Sequence, residues 1–232
     1  TVQNASLTFD GSIMILPPRV LLEMEREESF PKDFLRNFLQ IRIFPTIAKM
    51  GYTNYGGDVI MLNWMKTRRS IRVYQEKEVE QDKLDAILKS GLMAPTGRGS
   101  RPWEFIAVTD KQKLERLSHT RRQSSQFLSG AALAVVVAAD VESSNTWVED
   151  TSIAAAFMQL AAHSLGLGSC WIHVRDRSYD DSTTAEDFVS EILDIPAHIR
   201  VLCILSIGYP AEDKPSHNEE DLLYGKVHYN RY

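Results

Sequence analysis

The chain has 232 residues and a formal net charge of -5, with 44% hydrophobic and 25% charged residues. This composition is ordinary for a soluble globular protein, and the sequence pI of about 5.7 argues against a nucleic-acid-binding surface. No apolar run reaches the length of a membrane span and no signal-peptide pattern opens the chain, so we expect a cytoplasmic protein without a membrane partner. Cys170 and Cys203 lie in apolar stretches and are expected to be buried thiols.

Residues 1–60 differ in character from the rest and are predicted to be an N-terminal extension of unknown role, followed by one domain over residues 61–232. Pro17-Pro18 favours the start of a short helix. The apolar residues from Phe34 to Leu39 share one helical face, and the glycines before Asp58 predict a loop.

The second part of the chain interleaves predicted helices and strands without strict βα alternation. Asp110 is predicted to cap a helix through Leu114 and Leu117, and Thr183 or Thr184 another through Leu193. Further helices are predicted at 79–90 and 150–165, and strands at 103–108, 131–139, 169–174 and 201–207, with a polar tail from 211 to 232.

The helix predicted at 150–165 is apolar on most of its circumference. A helix of this kind lies in the middle of a core or in a dimer interface. His163 within it is interpreted as a core histidine, because the 6 histidines of the chain are scattered and show no metal-ligand spacing. We therefore predict no metal site.

Arg68, Arg69 and Arg72 place three guanidinium groups beside the hydroxyl of Ser70. Guanidinium groups bind phosphate through a planar fork and stay charged at any working pH. If Ile71 and Val73 face a core, alternation places Ser70 and Arg72 on the opposite face, toward one ligand. The simpler alternative is a solvated basic stretch.

No nucleophile–base pair, Walker loop or Gly-x-Gly-x-x-Gly fingerprint is present. The sequence Gly166-Leu167-Gly168 is most simply a helix C-cap, although glycine backbone can also approach a flat ligand closely. An enzyme built in this way needs a cofactor for its chemistry. The arginines favour a cofactor that carries phosphate.

Four motifs then follow one another in a characteristic order. They are Arg68-Arg69-Ser70-Ile71-Arg72, Ala94-Pro95-Thr96 leading into Arg101-Pro102-Trp103-Glu104-Phe105-Ile106, Leu165 to Ile172, and Gly208-Tyr209-Pro210. In this order and spacing they resemble the FMN-dependent nitroreductase family, from about Asn63 to the C-terminus. The first sixty residues match nothing in that family.

The resemblance implies an α+β fold whose central, mostly antiparallel sheet is wrapped by helices. It also implies an intertwined homodimer with two FMN molecules at its interface. By the same resemblance, Arg68, Arg69 and Ser70 hold the phosphate and the ribityl chain, and Arg72 reaches N1 and O2 of the ring. Lys214 is our choice for a further phosphate contact, with His217 as the alternative.

Two loops complete the implied site. Pro95, Thr96 and Gly97 come from the partner subunit against the ring, with Gly99 in the same loop. Backbone amides around Leu165, Gly166, Leu167 and Gly168 approach N5 and O4. The family often has Asn where this chain has Gly99, and Gln where it has Arg101, so those two contacts are in question.

The implied activity is NAD(P)H-dependent. Hydride passes through flavin N5 to a small electron-poor acceptor such as a nitroaromatic or a quinone. Dehalogenation and flavin fragmentation are alternatives within the same fold. A flavin-binding redox sensor or carrier without turnover, or an interaction module without flavin, are alternatives from other classes.

Overall fold

The computed structural model describes residues 60–232, together with the strands β1 (Ser6–Phe9) and β2 (Ser12–Ile15). β1 and β2 pair antiparallel, with Ser6 opposite Ile15. The chain divides into two compact units, Thr1–Ile60 and Met61–Tyr232. The helices and the loop predicted within residues 17–58 lie outside the described residues.

The second unit alternates helices and strands. In chain order these are α1 (Ile60–Thr67), α2 (Gln81–Leu92), β3 (Trp103–Val108), α3 (Lys111–Ser118), β4 (Leu133–Asp140), α4 (Trp147–Ser164), β5 (Gly168–His173), α5 (Ala185–Leu193) and β6 (Ile199–Gly208). Among the residues described, no helix has both the length and the hydropathy to cross a bilayer.

The four later strands form one antiparallel sheet in the order β3-β4-β6-β5. The two central strands β4 and β6 pair along their length, with Val136 opposite Ile204. Strands buried on both faces are continuous apolar runs, and both of these runs are buried as predicted. The predicted α+β fold class is confirmed.

Helices cover both faces of the sheet, because successive residues of a strand point to opposite sides. One core contains Val136 with apolar residues of α3 and α5. The other contains Val135 and Val137 with residues of α2 and α4. Cys170 and Cys203 are buried free thiols, as expected.

Two predicted helix caps are present. The Asp110 carboxylate accepts a hydrogen bond from the Lys113 amide at 2.8 Å, and the Thr184 hydroxyl accepts one from the Asp187 amide at 3.0 Å. Such caps satisfy amides that have no partner within the helix. They fix the starts of α3 and α5, which flank the sheet on one side.

Candidate functional site

The arginine-rich segment, Arg68 to Tyr74, runs past the start of β5 and the end of β6. Ser70 forms a parallel bridge with Ser169, and the Ile71 amide donates to the Ser169 carbonyl at 3.0 Å. Further along, Tyr74 bridges Pro210 beyond the end of β6. Ile71 is buried but Val73 is 51% exposed, so the condition that both residues face a core holds for Ile71 and not for Val73.

The turn after α4 is a Schellman motif. Gly166 has φ +76°, its amide donates to the His163 carbonyl at 3.0 Å, and the Leu167 amide donates to the Ala162 carbonyl at 2.9 Å. Leu165 is the C-cap residue. The amides of Gly166 and Leu167 are therefore already paired, and the prediction that they donate to a ligand needs correction.

Gly168 has a different role, because it allows the arginine-rich segment to lie directly against β5. A Cβ atom at Gly168 would stand 2.7 Å from the Cβ atom of Ile71. Carbon atoms do not approach that closely, so any larger residue here must push the segment away. The spacing of the two segments depends on this glycine.

A cleft of about 230 Å³ lies where these segments meet. Its lining includes Arg69, Lys214, Glu212 and Asp213. The Lys214 ammonium donates to the Ser70 carbonyl at 2.6 Å and lies 3.2 Å from the Glu212 carboxylate. Lys214, which follows Gly208-Tyr209-Pro210 in the sequence, thus reaches the arginine-rich segment.

The Glu212 carboxylate also binds the backbone of the arginine-rich segment. Its Oε1 atom accepts the Arg72 amide at 2.5 Å and the Val73 amide at 3.2 Å. These bonds, led by the one from Arg72, hold the pKa of Glu212 below its usual value, although burial opposes them. A carboxylate that stays ionised keeps the segment in place.

Cationic side chains of the same region also act on the Cys170 thiol. Burial is the main influence and raises the pKa of the Cys170 thiol, while Arg72, Lys214 and Arg68 oppose the rise. Four basic groups thus lie close to the start of β5, if Arg69 in the cleft is included. Sequence reasoning predicted this set, and the structure brings it together.

Two cleft residues were missed from the sequence. His163 and Thr67 both line the cleft, and His163 Nε2 lies 2.7 Å from Thr67 Oγ1. His163 is half-buried at the end of α4 and is not the core histidine that we expected. Its position one helical turn before Gly166 was the available signal.

The outer edge of β5 offers further hydrogen-bond donors. Because the Ser169 carbonyl faces Ile71 and strand residues alternate in direction, the amides of Trp171 and His173 also point away from β6. Within residues 60–232, β5 is at the edge of the sheet, so these two amides are directed where they can donate to a ligand. Arg121 donates to the His173 carbonyl at 3.1 Å beside them.

The loop containing Pro95 and Thr96 lies at the other end of α4. The Gly97 amide donates to the buried Asp150 carboxylate at 2.8 Å. The helical rise of ~1.5 Å per residue places Gly166 ~24 Å from Asp150. Within one chain, the loop from Pro95 to Gly99 is therefore far from the cleft.

Backbone strain marks this loop. Arg98 has φ 54°, Gly99 has φ 70° and Arg101 has φ 50°. Glycine adopts this region freely, whereas arginine does so at a cost. The Arg101 amide donates to the Thr96 hydroxyl at 3.1 Å, which helps to hold the loop in this shape.

Comparison with known proteins agrees with this geometry. The Nitroreductase family model matches residues 65–126 and 117–209. A protein of Archaeoglobus fulgidus named as an NADH dehydrogenase/NAD(P)H nitroreductase is 36% identical over 69% of this chain and 91% of its own length. An FMN-dependent nitroreductase structure from Clostridium difficile is 51% identical, with a TM-score of 0.73, and covers 74% of this chain and 99% of its own.

A structure from Parabacteroides distasonis, also named as an NADH dehydrogenase/NAD(P)H nitroreductase, is 31% identical with a TM-score of 0.69. It covers 75% of this chain and 100% of its own. The matched residues of the family model contain the arginine-rich segment, the turn after α4 and the whole four-stranded sheet. This chain belongs to the nitroreductase family.

Proposed function

We propose that the protein is an FMN-dependent oxidoreductase that uses NAD(P)H to reduce a small electron-poor acceptor, such as a nitroaromatic or a quinone. The observation that carries the proposal is the cleft at the start of β5, where Arg69 and Lys214 lie beside the arginine-rich segment, continued by the outward-directed amides of β5. The relatives support it, since one is named FMN-dependent and others are named NAD(P)H nitroreductases.

The residues present fit FMN. Arg68, Arg69 and Lys214 supply charge for a phosphate, and Ser70 lies between them in the chain. Gly168 lets the arginine-rich segment lie against β5, and a Cβ atom at this position would displace that segment. Further along β5, the outward-directed amides of Trp171 and His173 suit the polar edge of a flat ring, which revises the role first expected of Gly166 and Leu167.

When bound, FMN accepts hydride from a nicotinamide and passes electrons to the acceptor. The chain itself holds, orients and tunes the cofactor, because no nucleophile–base pair was found in the sequence. We assign to Arg72 the role of stabilising negative charge on the ring by electrostatics. The Pro95 loop would cover the ring and exclude water.

That loop has to come from a second copy of the chain. Pro95, Thr96, Gly97 and Gly99 lie ~24 Å along α4 from the cleft of their own chain. α4 also exposes 38% of Ile153 and 40% of Phe157, an apolar pair one turn apart. We infer a homodimer in which each cleft is completed by the partner's loop.

The proposal is tested on the purified full chain. Denatured protein should release FMN, and NADH or NADPH should be consumed continuously with menadione or a nitrofuran present. Release of FAD, or of no flavin, would contradict the assignment. A single reduction without turnover would identify a sensor or carrier, and turnover restricted to a halogenated aromatic would identify a dehalogenase.

Replacing Arg72 tests its place beside the ring. We expect Arg72→Ala to lower the midpoint potential of the bound flavin, since the reduced ring is the more anionic form and loses more stabilisation. A charge-assisted hydrogen bond contributes about 1.5–3 kcal/mol, so FMN affinity should fall roughly tenfold or more. Spectroelectrochemical titration measures the potential, with the exposed Arg116→Ala as control. Equal potentials in wild type and Arg72→Ala would place this side chain away from the ring.

A further inference from the structure

His163 has a defined hydrogen-bond geometry in the cleft. Thr67 Oγ1 lies 2.8 Å from the Asn63 carbonyl oxygen and 2.7 Å from His163 Nε2. A hydroxyl has one hydrogen to donate, the Asn63 carbonyl can only accept, and His163 Nε2 can accept when it is unprotonated or donate when it is protonated. In the imidazolium form both ring nitrogens carry hydrogen, so Nε2 donates to Thr67 and Thr67 donates to the Asn63 carbonyl.

The charges that line the cleft cancel. Arg69 and Lys214 are cationic, while Glu212 and Asp213 are anionic. Arg68 is the further charge that acts on His163. A phosphate monoester carries about -1.5 to -2 charges near neutral pH, so these groups alone leave it undercompensated.

We propose that His163 takes up a proton from solvent when the phosphate of FMN enters the cleft, and holds that phosphate as an imidazolium. This inference rests on the proposed function and deepens it. In the imidazolium, Thr67 accepts from Nε2 and orients the ring, while Nδ1 is the charge-assisted donor to the phosphate. The position in the last turn of α4 favours a cation, since carbonyl groups point out of that end of the helix.

The surroundings of His163 in the free chain disfavour its cationic form, which shows in its pKa. Burial, followed by the charge of Arg68, lowers its pKa below the ordinary value. A bound phosphate raises that pKa, so a proton is taken up at pH values between the free and bound pKa values. The gain in FMN affinity that protonated His163 contributes is complete at low pH. It is lost as pH rises through the pKa of His163 in the complex.

The test compares flavin-stripped wild type with His163→Gln between about pH 5.5 and 8.5, a range around the ordinary histidine pKa. FMN binding is followed by fluorescence quenching, and proton uptake by calorimetry in two buffers of different ionisation enthalpy. Wild type should bind FMN roughly tenfold more tightly than His163→Gln at low pH, with the difference closing at high pH. The exposed His119→Gln is the matched control and should behave as wild type.

Riboflavin tests whether the effect depends on the phosphate, because riboflavin has the same ring but no phosphate. Its binding should cause no proton uptake through His163, and its affinity for wild type and His163→Gln should not differ with pH. Thr67→Val keeps the imidazole but removes its orienting partner, and should lose part of the low-pH gain. FMN binding with the same pH profile in wild type and His163→Gln would overturn this inference alone. Absence of FMN binding at every pH would overturn the proposed function and this inference together.

Discussion

Equal amounts of Gly97→Val and Gly168→Val chains, refolded together, are expected to recover about a quarter of wild-type activity, although each variant alone has almost none. A Cβ atom at Gly97 would stand 2.6 Å from Thr146 Oγ1, so this variant displaces the loop. Gly168→Val clashes with Ile71 and displaces the arginine-rich segment that forms one side of the cleft. Half of the dimers are mixed, and each mixed dimer has one site with an intact cleft and an intact loop.

Two controls distinguish a failure to form dimers from a failure of mixed dimers to recover activity. Mixing Gly97→Val with the Gly97→Val/Gly168→Val double variant should recover nothing, because no dimer then contains an intact loop. Size-exclusion chromatography should show the same dimer in every sample. Dimers that form normally without recovered activity would show that each site is built within one chain, as would a fully active monomer.

Removing both cations of the cleft, Arg69 and Lys214, should weaken the binding of FMN much more than the binding of riboflavin. Arg69→Ala/Lys214→Ala is expected to weaken FMN binding about a hundredfold, from roughly tenfold for each charge-assisted contact with the phosphate. Riboflavin affinity should change little, because riboflavin has no phosphate for these side chains to bind. Fluorescence titration of flavin-stripped protein with both ligands measures the two effects.

A charge-matched control is available on α3. Lys113→Ala/Arg116→Ala removes the same net charge from exposed positions and should leave both affinities near wild type. High salt should reduce the FMN preference of wild type, since exposed charges are screened. Equal losses for FMN and riboflavin would show that Arg69 and Lys214 act through the shape of the cleft and not through the phosphate.

The sequence by itself determined the elements and the basic set. The Val-rich run at 131–139 predicts a strand buried on both faces, because no polar residue interrupts it, and β4 is such a strand. Asp110 specifies a helix start through its own hydrogen bond to the Lys113 amide. Both features depend on residues that are close together in the chain, so they can be predicted from the sequence without knowledge of the tertiary structure.

Tertiary structure alone decided which groups are free to bind. The amides of Gly166 and Leu167 are paired within the end of α4, whereas those of Trp171 and His173 point outward because β5 is an edge strand among residues 60–232. His163 became a cleft residue because α1 places Thr67 against it. Each outcome depends on segments distant in the chain, since a backbone group is free only if folding brings no partner to it.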